Sequence, residues 1–370
     1  MKICHLTSVH PVRDIRIFHK ECVSLASAGF EVHLVAIGTE GSFSEKGVNV
    51  HTLNIKSSGR ISRITKTAKQ VSRYALSLNA DVYHMHDAEL LLYSGLFTRN
   101  KKIVIYDVHE DLPLQITAKH WIPVYFRKPI SWLAGHFEKY FVKNLYGIVA
   151  ATQPIADVFY SIGKPVIVIR NFPMLHEFKT INRDSPVSGL LCYLGSVSKV
   201  RGIKEVIESL TLSSSKLLLA GSYSPEGLRA ELCTMSGWER VEEFGTVDRN
   251  KVKEILETAS IGLVTLLPAA NFIESLPIKM FEYMAAGLPV IASDFPLWKE
   301  IVEVSGCGIC VNPEKPKEIA AAVIRLRDDP ELASAMGARG KAAVLEKYNW
   351  KNEEALLLEY YHSIKIGEKS

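Results

Sequence analysis

The feature that most constrains this chain is the alternation of short β-branched runs with longer helical patterns along its whole length. Ile3–Val9, Glu31–Ile37, Val48–Ile55, Asp81–Asp87, Lys102–His109, Gly147–Thr152 and Pro165–Asn171 read as strands. Several are continuously apolar, such as Val32-His33-Leu34-Val35-Ala36-Ile37, and a strand of that kind needs cover on both faces, as in a parallel sheet. Ile15–Ala28, Arg60–Leu78, Ala88–Phe97 and Phe126–Leu145 carry helical periodicity between them. A βαβ series of this kind dictates an open, doubly wound α/β sheet.

The series pauses at Phe172–Gly189, which holds two prolines and little periodicity and reads as a linker. It then resumes. Leu190–Gly195, Lys216–Gly221, Val241–Val247, Ile261–Leu267, Pro289–Ser293 and Gly308–Val311 read as strands. Ile203–Leu210, Glu226–Met235, Arg249–Ala259, Ile278–Ala286 and Pro316–Leu326 read as helices, and Pro330–Lys365 is helical almost throughout. At roughly 100–200 residues per domain, 370 residues make about two domains. The boundaries fall at 1–172 and 173–349, with 350–370 as a terminal helix. Two Rossmann-like domains facing each other across a cleft would bind ligand outside the carboxyl ends of their strands.

Composition narrows the function classes. Hydrophobic residues are 47% and charged residues 23%, which excludes a disordered or collagen-like chain. The net charge of +4 carries no nucleic-acid signature. No stretch approaches the ~20 apolar residues of a membrane span, and the apolar run at the N-terminus is too short for a signal peptide. Six scattered cysteines imply reduced thiols and a cytoplasmic location. Cys307-Gly308-Ile309-Cys310 has no second pair with which to hold zinc.

The most informative stretch runs from Glu274 to Ala292, ESLPIKMFEYMAAGLPVIA. Pro277 suits a first helical turn, Gly287 suits the position just past the end, and Pro289 follows where the helix must stop. Glu274 sits in the loop and Glu282 in the helix, so the two can touch opposite ends of one elongated ligand lying across the helix N-terminus. That terminus, with free N–H groups and about half a positive charge, seats phosphates, and Lys279 adds a cation. A second motif, Tyr193-Leu194-Gly195-Ser196-Val197-Ser198-Lys199-Val200-Arg201-Gly202-Ile203, runs strand, glycine turn, helix. Gly195 and Gly202 let backbone approach a diphosphate, Arg201 can pair with it bidentately, and Gly221 closes the next strand.

Two glutamates seven residues apart, the second inside Phe-Glu-Tyr-Met-Ala-Ala-Gly-Leu-Pro-Val-Ile, resemble the signature of family 4 retaining glycosyltransferases of the GT-B fold, glycosyl transferases group 1. The resemblance covers essentially the whole chain. It implies two facing Rossmann-like domains with a central cleft, an N-terminal acceptor domain, a C-terminal donor domain, and a last helix, Trp350–Ile366, crossing back to the first domain. It implies that Glu274 holds the sugar of a nucleotide-sugar donor and Glu282 its ribose. Family members usually carry Gly-Arg where this chain has Gly195-Ser196, so one of two expected cations is missing; Lys279 and Lys199 are the candidates to replace it. The resemblance also implies that His109, in Ile105-Tyr106-Asp107-Val108-His109-Glu110-Asp111, contacts a sugar hydroxyl. His84-Met85-His86-Asp87 competes with it: alternation puts His84 and His86 on one face, as metal ligands or as cleft-lining groups. No further ligand set is apparent, and no metal is expected.

The first βα loop, His10-Pro11-Val12-Arg13-Asp14-Ile15-Arg16, lacks the Gly-Gly turn of many members. Either its charged side chains replace backbone amides, or Asp14 caps the helix and the arginines are solvated. Arg60, Arg63, Lys66, Lys69 and Arg73 recur at helical spacing opposite Ile61, Ile64, Ala68, Val71, Ala75 and Leu78. With the aromatic and basic segment His120–Lys128 and Trp132, this reads as a surface for anionic lipid on the inner face of the membrane or as an ordinary solvated face. The expectation is a retaining, metal-independent glycosyltransferase. Its donor is UDP-, GDP- or ADP-linked and serves as substrate, with no separate cofactor; its acceptor is a saccharide or lipid-linked saccharide of cell-surface polysaccharide or glycoconjugate synthesis. Arg201, Lys279, Glu274 and His109 are the catalytic candidates, and Gly195, Ser196, Gly202, Gly221 and Glu282 join them in donor binding. A nucleotide-sugar 2-epimerase and a non-catalytic sugar-nucleotide binding protein are the alternatives.

Overall fold

A computed structural model describes residues 1–56, 59, 62–119, 122–183 and 186–365. Arg60, Ile61, His120, Trp121 and Ile366, named above, lie outside the described residues. The chain forms two compact units: Met1–Asn171 together with the chain from Asn352 on, and Phe172–Lys351.

The first unit is built on eight strands: β1 (Lys2–Leu6), β2 (Glu31–Ile37), β3 (Ser42–Glu45), β4 (Val48–Leu53), β5 (Val82–Met85), β6 (Ile103–Val108), β7 (Gly147–Ala150) and β8 (Val166–Val168). They lie in the order β3-β4-β2-β1-β5-β6-β7-β8, parallel except for β3 against β4. β3 was not legible in sequence because an edge strand reading Ser-Phe-Ser-Glu buries no apolar face. Its hairpin turns on Lys46 and Gly47, both at positive φ (51° and 80°), the geometry a two-residue connection needs. Chain order reverses between β1 and β5, so the carboxyl ends of these two strands flank a topological switch point.

Helix Ile15–Cys22 follows β1 and is wound with i→i+5 hydrogen bonds, a rare form concentrated at functional sites. Asp14 caps it, accepting from the backbone N–H of Arg16 at 2.8 Å and of Ile17 at 3.0 Å. The helix predicted at Arg60–Leu78 occupies Arg63–Thr67 and Ala68–Ser77; Ala68, Val71 and Ala75 enter the core while Lys66, Lys69 and Arg73 face solvent. Helices Leu112–Ala118 and Gln153–Tyr160 lie in segments whose short apolar stretches gave no clear period. The last helix, Trp350–Ser363, places Tyr361 Oη 2.6 Å from His84 Nδ1, and Glu353 accepts from the Arg170 backbone N–H at 2.7 Å.

The second unit has six parallel strands: β9 (Leu190–Leu194), β10 (Lys216–Ala220), β11 (Val241–Gly245), β12 (Ile261–Val264), β13 (Val290–Ser293) and β14 (Gly308–Val311). Their order is β11-β10-β9-β12-β13-β14, with its own switch point between β9 and β12. The segment read as a linker is part of this unit. Phe172 and Phe178 are buried, and the Phe172 ring lies 4.7 Å from Phe281 and 5.4 Å from Tyr348. Helix Ile278–Ala285 buries Met280, Phe281, Tyr283 and Met284 and ends where Gly287 turns at φ 78°. Pro277 sits one residue ahead of the expected first turn, as the cap.

Candidate active site

Each switch point carries a cluster of polar groups. In the second unit β9 ends in Gly195 at φ 118° and β10 ends in Gly221 at φ 154°. A side chain on Gly221 would collide with the Gly195 carbonyl, and one on Gly202 with the Thr265 carbonyl, so both turns require glycine for close backbone approach. A Cβ on Gly195 would stand 3.8 Å from Lys279 Nζ, which brings the two motifs together. Lys279 is buried; its ammonium lies 3.7 Å from the centre of the Tyr193 ring and has no hydrogen-bond partner. Burial holds its pKa well below the usual lysine range, and Arg201 beside it adds repulsion, while Glu282 pulls the other way. The helix Lys279 belongs to starts with no side-chain cap, so its first N–H groups are open to a ligand.

Of the two lysines that could stand in for the missing cation, Lys199 is already engaged, with Nζ 2.7 Å from Glu231. Lys279 is the free one. Ser196 contributes its carbonyl, which accepts from Tyr193 Oη at 2.9 Å. Glu282 is not free either: Arg249 Nη1 donates to Oε1 at 3.3 Å. Glu274 is exposed at the end of the short helix Ala270–Ile273, and its loop is pinned by the buried Trp298, whose indole N–H donates to the Ser275 carbonyl at 2.6 Å. The structure thus unites Gly195, Gly202, Gly221, Arg201 and Lys279, with Glu282 on the same helix as Lys279; Glu274 stands on the loop ahead of that helix.

In the first unit His109, just past β6, is half-buried, its Nε2 2.9 Å from Asp107 Oδ2 and 3.2 Å from His86 Nδ1. Asp107 is the hub. Arg16 grips it bidentately, at 2.9 Å from Nε and 2.8 Å from Nη2, and His86 Nδ1 lies 3.1 Å from Oδ2. Burial pushes this carboxyl up, yet Arg16, His109 and His86 together hold it well below the usual carboxylate range. Glu21, on the same helix as Arg16, goes the other way: burial and the nearby Asp107 raise it well above the ordinary value. Burial lowers His86 to about 4 and takes His5 and His84 well below the usual histidine range. Asp14 does cap the helix, as one of the two sequence readings held, but Arg16 is buried rather than solvated; Arg13 is exposed and pairs with Glu40 and Glu45, each at 2.9 Å. Cys307 and Cys310 are thiols whose pKa burial pushes up to about 12 and about 11, which suits packing rather than redox chemistry.

Residues 17–172 match the family described as Glycosyltransferase Family 4, and residues 176–343 match Glycosyl transferases group 1. The chain belongs to glycosyltransferase family 4. The phosphatidyl-myo-inositol mannosyltransferase of Mycolicibacterium smegmatis is 23% identical to this family 4 chain over 214 residues, covering 58% of it and 49% of the relative. The chain spans about half the length, or somewhat less, of the curated relatives it matches. Among solved structures, a sucrose-phosphate synthase from Thermosynechococcus elongatus matches with a TM-score of 0.76 at 17% identity, over 98% of each chain. Anabaena HepE in complex with UDP-glucose matches with a TM-score of 0.74 at 14% identity, over 98% of this chain and 100% of that one. These likenesses establish a GT-B fold of two parallel-sheet α/β domains.

Sequence reasoning missed the anchoring role of Asp107 and Arg16 in this family 4 site. A usable signal was present: Asp107 lies two residues before His109, hence on the same side of an extended chain. What sequence could not supply was the partner, since Arg16 is 91 residues away.

Proposed function

We propose that the chain is a retaining, metal-independent glycosyltransferase that moves a sugar from a nucleotide-sugar donor to a saccharide or lipid-linked saccharide acceptor. The observation that carries the reading is Lys279: a buried ammonium without a hydrogen-bond partner, beside Arg201, a glycine turn and an uncapped helix start. Such a pocket is electrostatically incomplete until an anion enters, and an entering diphosphate would restore the lysine's charge. Cations held there stabilise the charge that grows on the diphosphate as the glycosidic bond breaks, which makes a divalent metal unnecessary. Glu282 takes the ribose after leaving Arg249, Glu274 takes sugar hydroxyls, and His109, fixed by Asp107 and Arg16, offers a further hydrogen bond to the sugar. The UDP-glucose complex of HepE and the lipid substrate in the name of the mycobacterial relative support these donor and acceptor classes.

A thermal-shift panel of UDP-, GDP- and ADP-sugars tests the reading. One nucleotide class should stabilise the wild type, and the Lys279→Met variant should lose that response. No response from any class, together with unchanged transfer in Glu274→Ala and Glu282→Ala, would overturn it. NMR of the product separates same-face transfer from inversion, and incubating donor alone separates transfer from epimerisation.

A specific observation favours a peripheral seat at the cytoplasmic face of a membrane. No helix among the described residues is long and apolar enough to cross one. Helix Val124–Val142, however, exposes Val124, Tyr125, Phe126, Trp132, Leu133 and Tyr140, with Tyr125 91% exposed and Trp132 62% exposed. Aromatic side chains that project into solvent beside Arg127 and Lys128 suit an interface with anionic headgroups. Flotation with anionic vesicles should recover the wild type and not a Tyr125→Ser/Trp132→Ser variant; equal recovery, or none, removes the membrane seat.

A further inference from the structure

Beneath His109 lies a second constellation that the transfer reading does not use. His5 on β1 and His84 on β5 are register partners, and His86 follows at the end of β5. The three imidazoles crowd together, with ring centres 4.6 Å apart for His5–His84, 4.8 Å for His84–His86 and 5.1 Å for His5–His86. Glu21 closes the group from the i→i+5 helix, its Oε2 at 3.9 Å from His5 Nδ1 and 4.0 Å from His86 Nε2. All four residues are fully or almost fully buried. His5 Nδ1 and His86 Nε2 lie 2.9 Å apart, and Glu21 Oε1 stands 3.0 Å from Arg16 Nε. Buried polar atoms are nearly always hydrogen-bonded, yet His5 Nε2, His84 Nε2 and Glu21 Oε2 have no hydrogen-bond partner. Three such atoms in one place are the mark of a missing ligand rather than of a packed core.

The geometry points to a divalent-cation site, of the zinc class, formed by His5, His84, His86 and Glu21. One nitrogen from each imidazole and one Glu21 oxygen lie within 4.8 Å of one another. Around a tetrahedral zinc at ~2.0–2.1 Å, ligand atoms stand about 3.4 Å apart, so a modest contraction of the side chains would complete the shell. Three imidazoles and one carboxylate are a donor set suited to zinc and its neighbours rather than to magnesium or calcium. The outer partners are also in place. His86 Nδ1 faces Asp107 Oδ2 at 3.1 Å, a carboxylate–histidine arrangement of the kind that orients metal ligands, and His84 Nδ1 faces Tyr361 Oη at 2.6 Å. A neighbouring triplet, His86, Asp107 and His109, is less suited, because Arg16 already occupies both Asp107 oxygens. The sequence shows two of the ligands, His84 and His86; the fold brings His5 from 79 positions upstream and Glu21 from the adjacent helix.

The site is buried below the groups assigned to sugar contact, so the ion would brace β1, β5 and the helix Ile15–Cys22 rather than touch substrate. Its failure would leave the donor reading intact. The test is metal analysis of the full chain purified from zinc-supplemented medium and dialysed, with titration of Co2+ into chelator-stripped protein. About one metal per chain and the visible d–d band of tetrahedral cobalt are expected. Glu21→Gln and His84→Asn should each lose at least nine-tenths of the bound metal, while His109→Ala retains it. If those two variants fail to fold, the wild type decides: chelation should lower its melting temperature by several degrees and added zinc should restore it. Metal-free wild type that takes up no cobalt and ignores chelator would overturn the site, as would metal that survives in Glu21→Gln and is lost in His109→Ala.

Discussion

The two switch points solve opposite electrostatic problems. In the first unit, charges are buried against one another: Arg16 locks both oxygens of Asp107, and Asp107 in turn holds His86 and His109. In the second, a cation is buried without a hydrogen-bonded partner: Lys279 has a tyrosine face and a glycine turn beside it, and Glu282 acts on it only through space. A pre-wired cluster orients groups before substrate arrives, whereas an incomplete one gains most when a charged ligand enters. The contrast predicts that the first site fails chiefly in stability and the second chiefly in binding and rate.

The largest effect should follow from breaking the pre-wired side. Arg16→Met leaves Asp107 charged in the interior, and removing one partner of a buried ion pair typically costs about 3–5 kcal/mol. Urea denaturation should show a loss of that size for Arg16→Met, with a smaller combined loss in Arg16→Met/Asp107→Asn than the sum of the single variants. Strict additivity would mean that the two groups act apart. The mirror experiment is Lys279→Met, which fills similar volume without charge. Its stability should hold or rise, since the ammonium is strained by burial, while transfer falls by roughly 10²–10³, the range for loss of one preorganised donor. A folded Lys279→Met enzyme with full turnover would erase the contrast.

Much of this architecture could be read from the chain, and the failures share a cause. Strand Glu31–Ile37 and strand Val290–Ser293 fall where the apolar runs predict them, because a strand covered on both faces must be continuously apolar. β3 escaped because its stability comes from a hairpin turn and edge pairing, not from a buried face. The glycine turns and helix Ile278–Ala285 were legible because local geometry demands particular residues there. Asp107, Arg16, Glu21 and His5 were not, because a buried polar network is defined by its partners, and these lie 91 positions apart in the pair Arg16–Asp107 and 79 in the pair His5–His84, and on a helix whose i→i+5 winding no periodicity announces. The engagement of Glu282 by Arg249 and of Lys199 by Glu231 was likewise invisible, since surface pairing depends on which loops meet.

A third prediction uses pH to probe the first unit away from its histidines. Tyr106 Oη donates to Glu138 Oε1 at 2.8 Å, and Glu138 is buried. Burial raises its pKa to about 7. A carboxyl whose folded value exceeds its unfolded value binds its proton more tightly when folded. Its stabilising contribution is therefore complete below the unfolded value near 4.5, falls as pH rises towards 7, and is gone above it. The full swing is on the order of 3 kcal/mol. Stability measured from pH 4.5 to 8 should decline in the wild type relative to Glu138→Gln, with the two curves running parallel above pH 7. Parallel curves over the whole range would show that Glu138 ionises as freely in the fold as in the unfolded chain.

The smallest expected effect is the most discriminating for the second unit. Arg249 is half-exposed and holds Glu282 through one 3.3 Å contact, with Glu177 at 3.6 Å from its other terminal nitrogen. A partly solvated pair of this kind contributes at most ~1 kcal/mol, so Arg249→Ala should leave stability within about 0.5 kcal/mol of the wild type. If Glu282 must let go of Arg249 to take the ribose, removing the arginine abolishes that competition. Donor affinity should then rise, by no more than about fivefold, because ~1 kcal/mol is the most the lost pair can return. Titration of the wild type and Arg249→Ala with the donor identified in the thermal-shift panel measures the sign directly. A rise makes Arg249 a placeholder for the ligand, and the second site then resembles the first, with a charge satisfied internally until substrate displaces its partner. A fall makes Arg249 a third cation on the diphosphate, and the contrast between a pre-wired and an incomplete site becomes sharper.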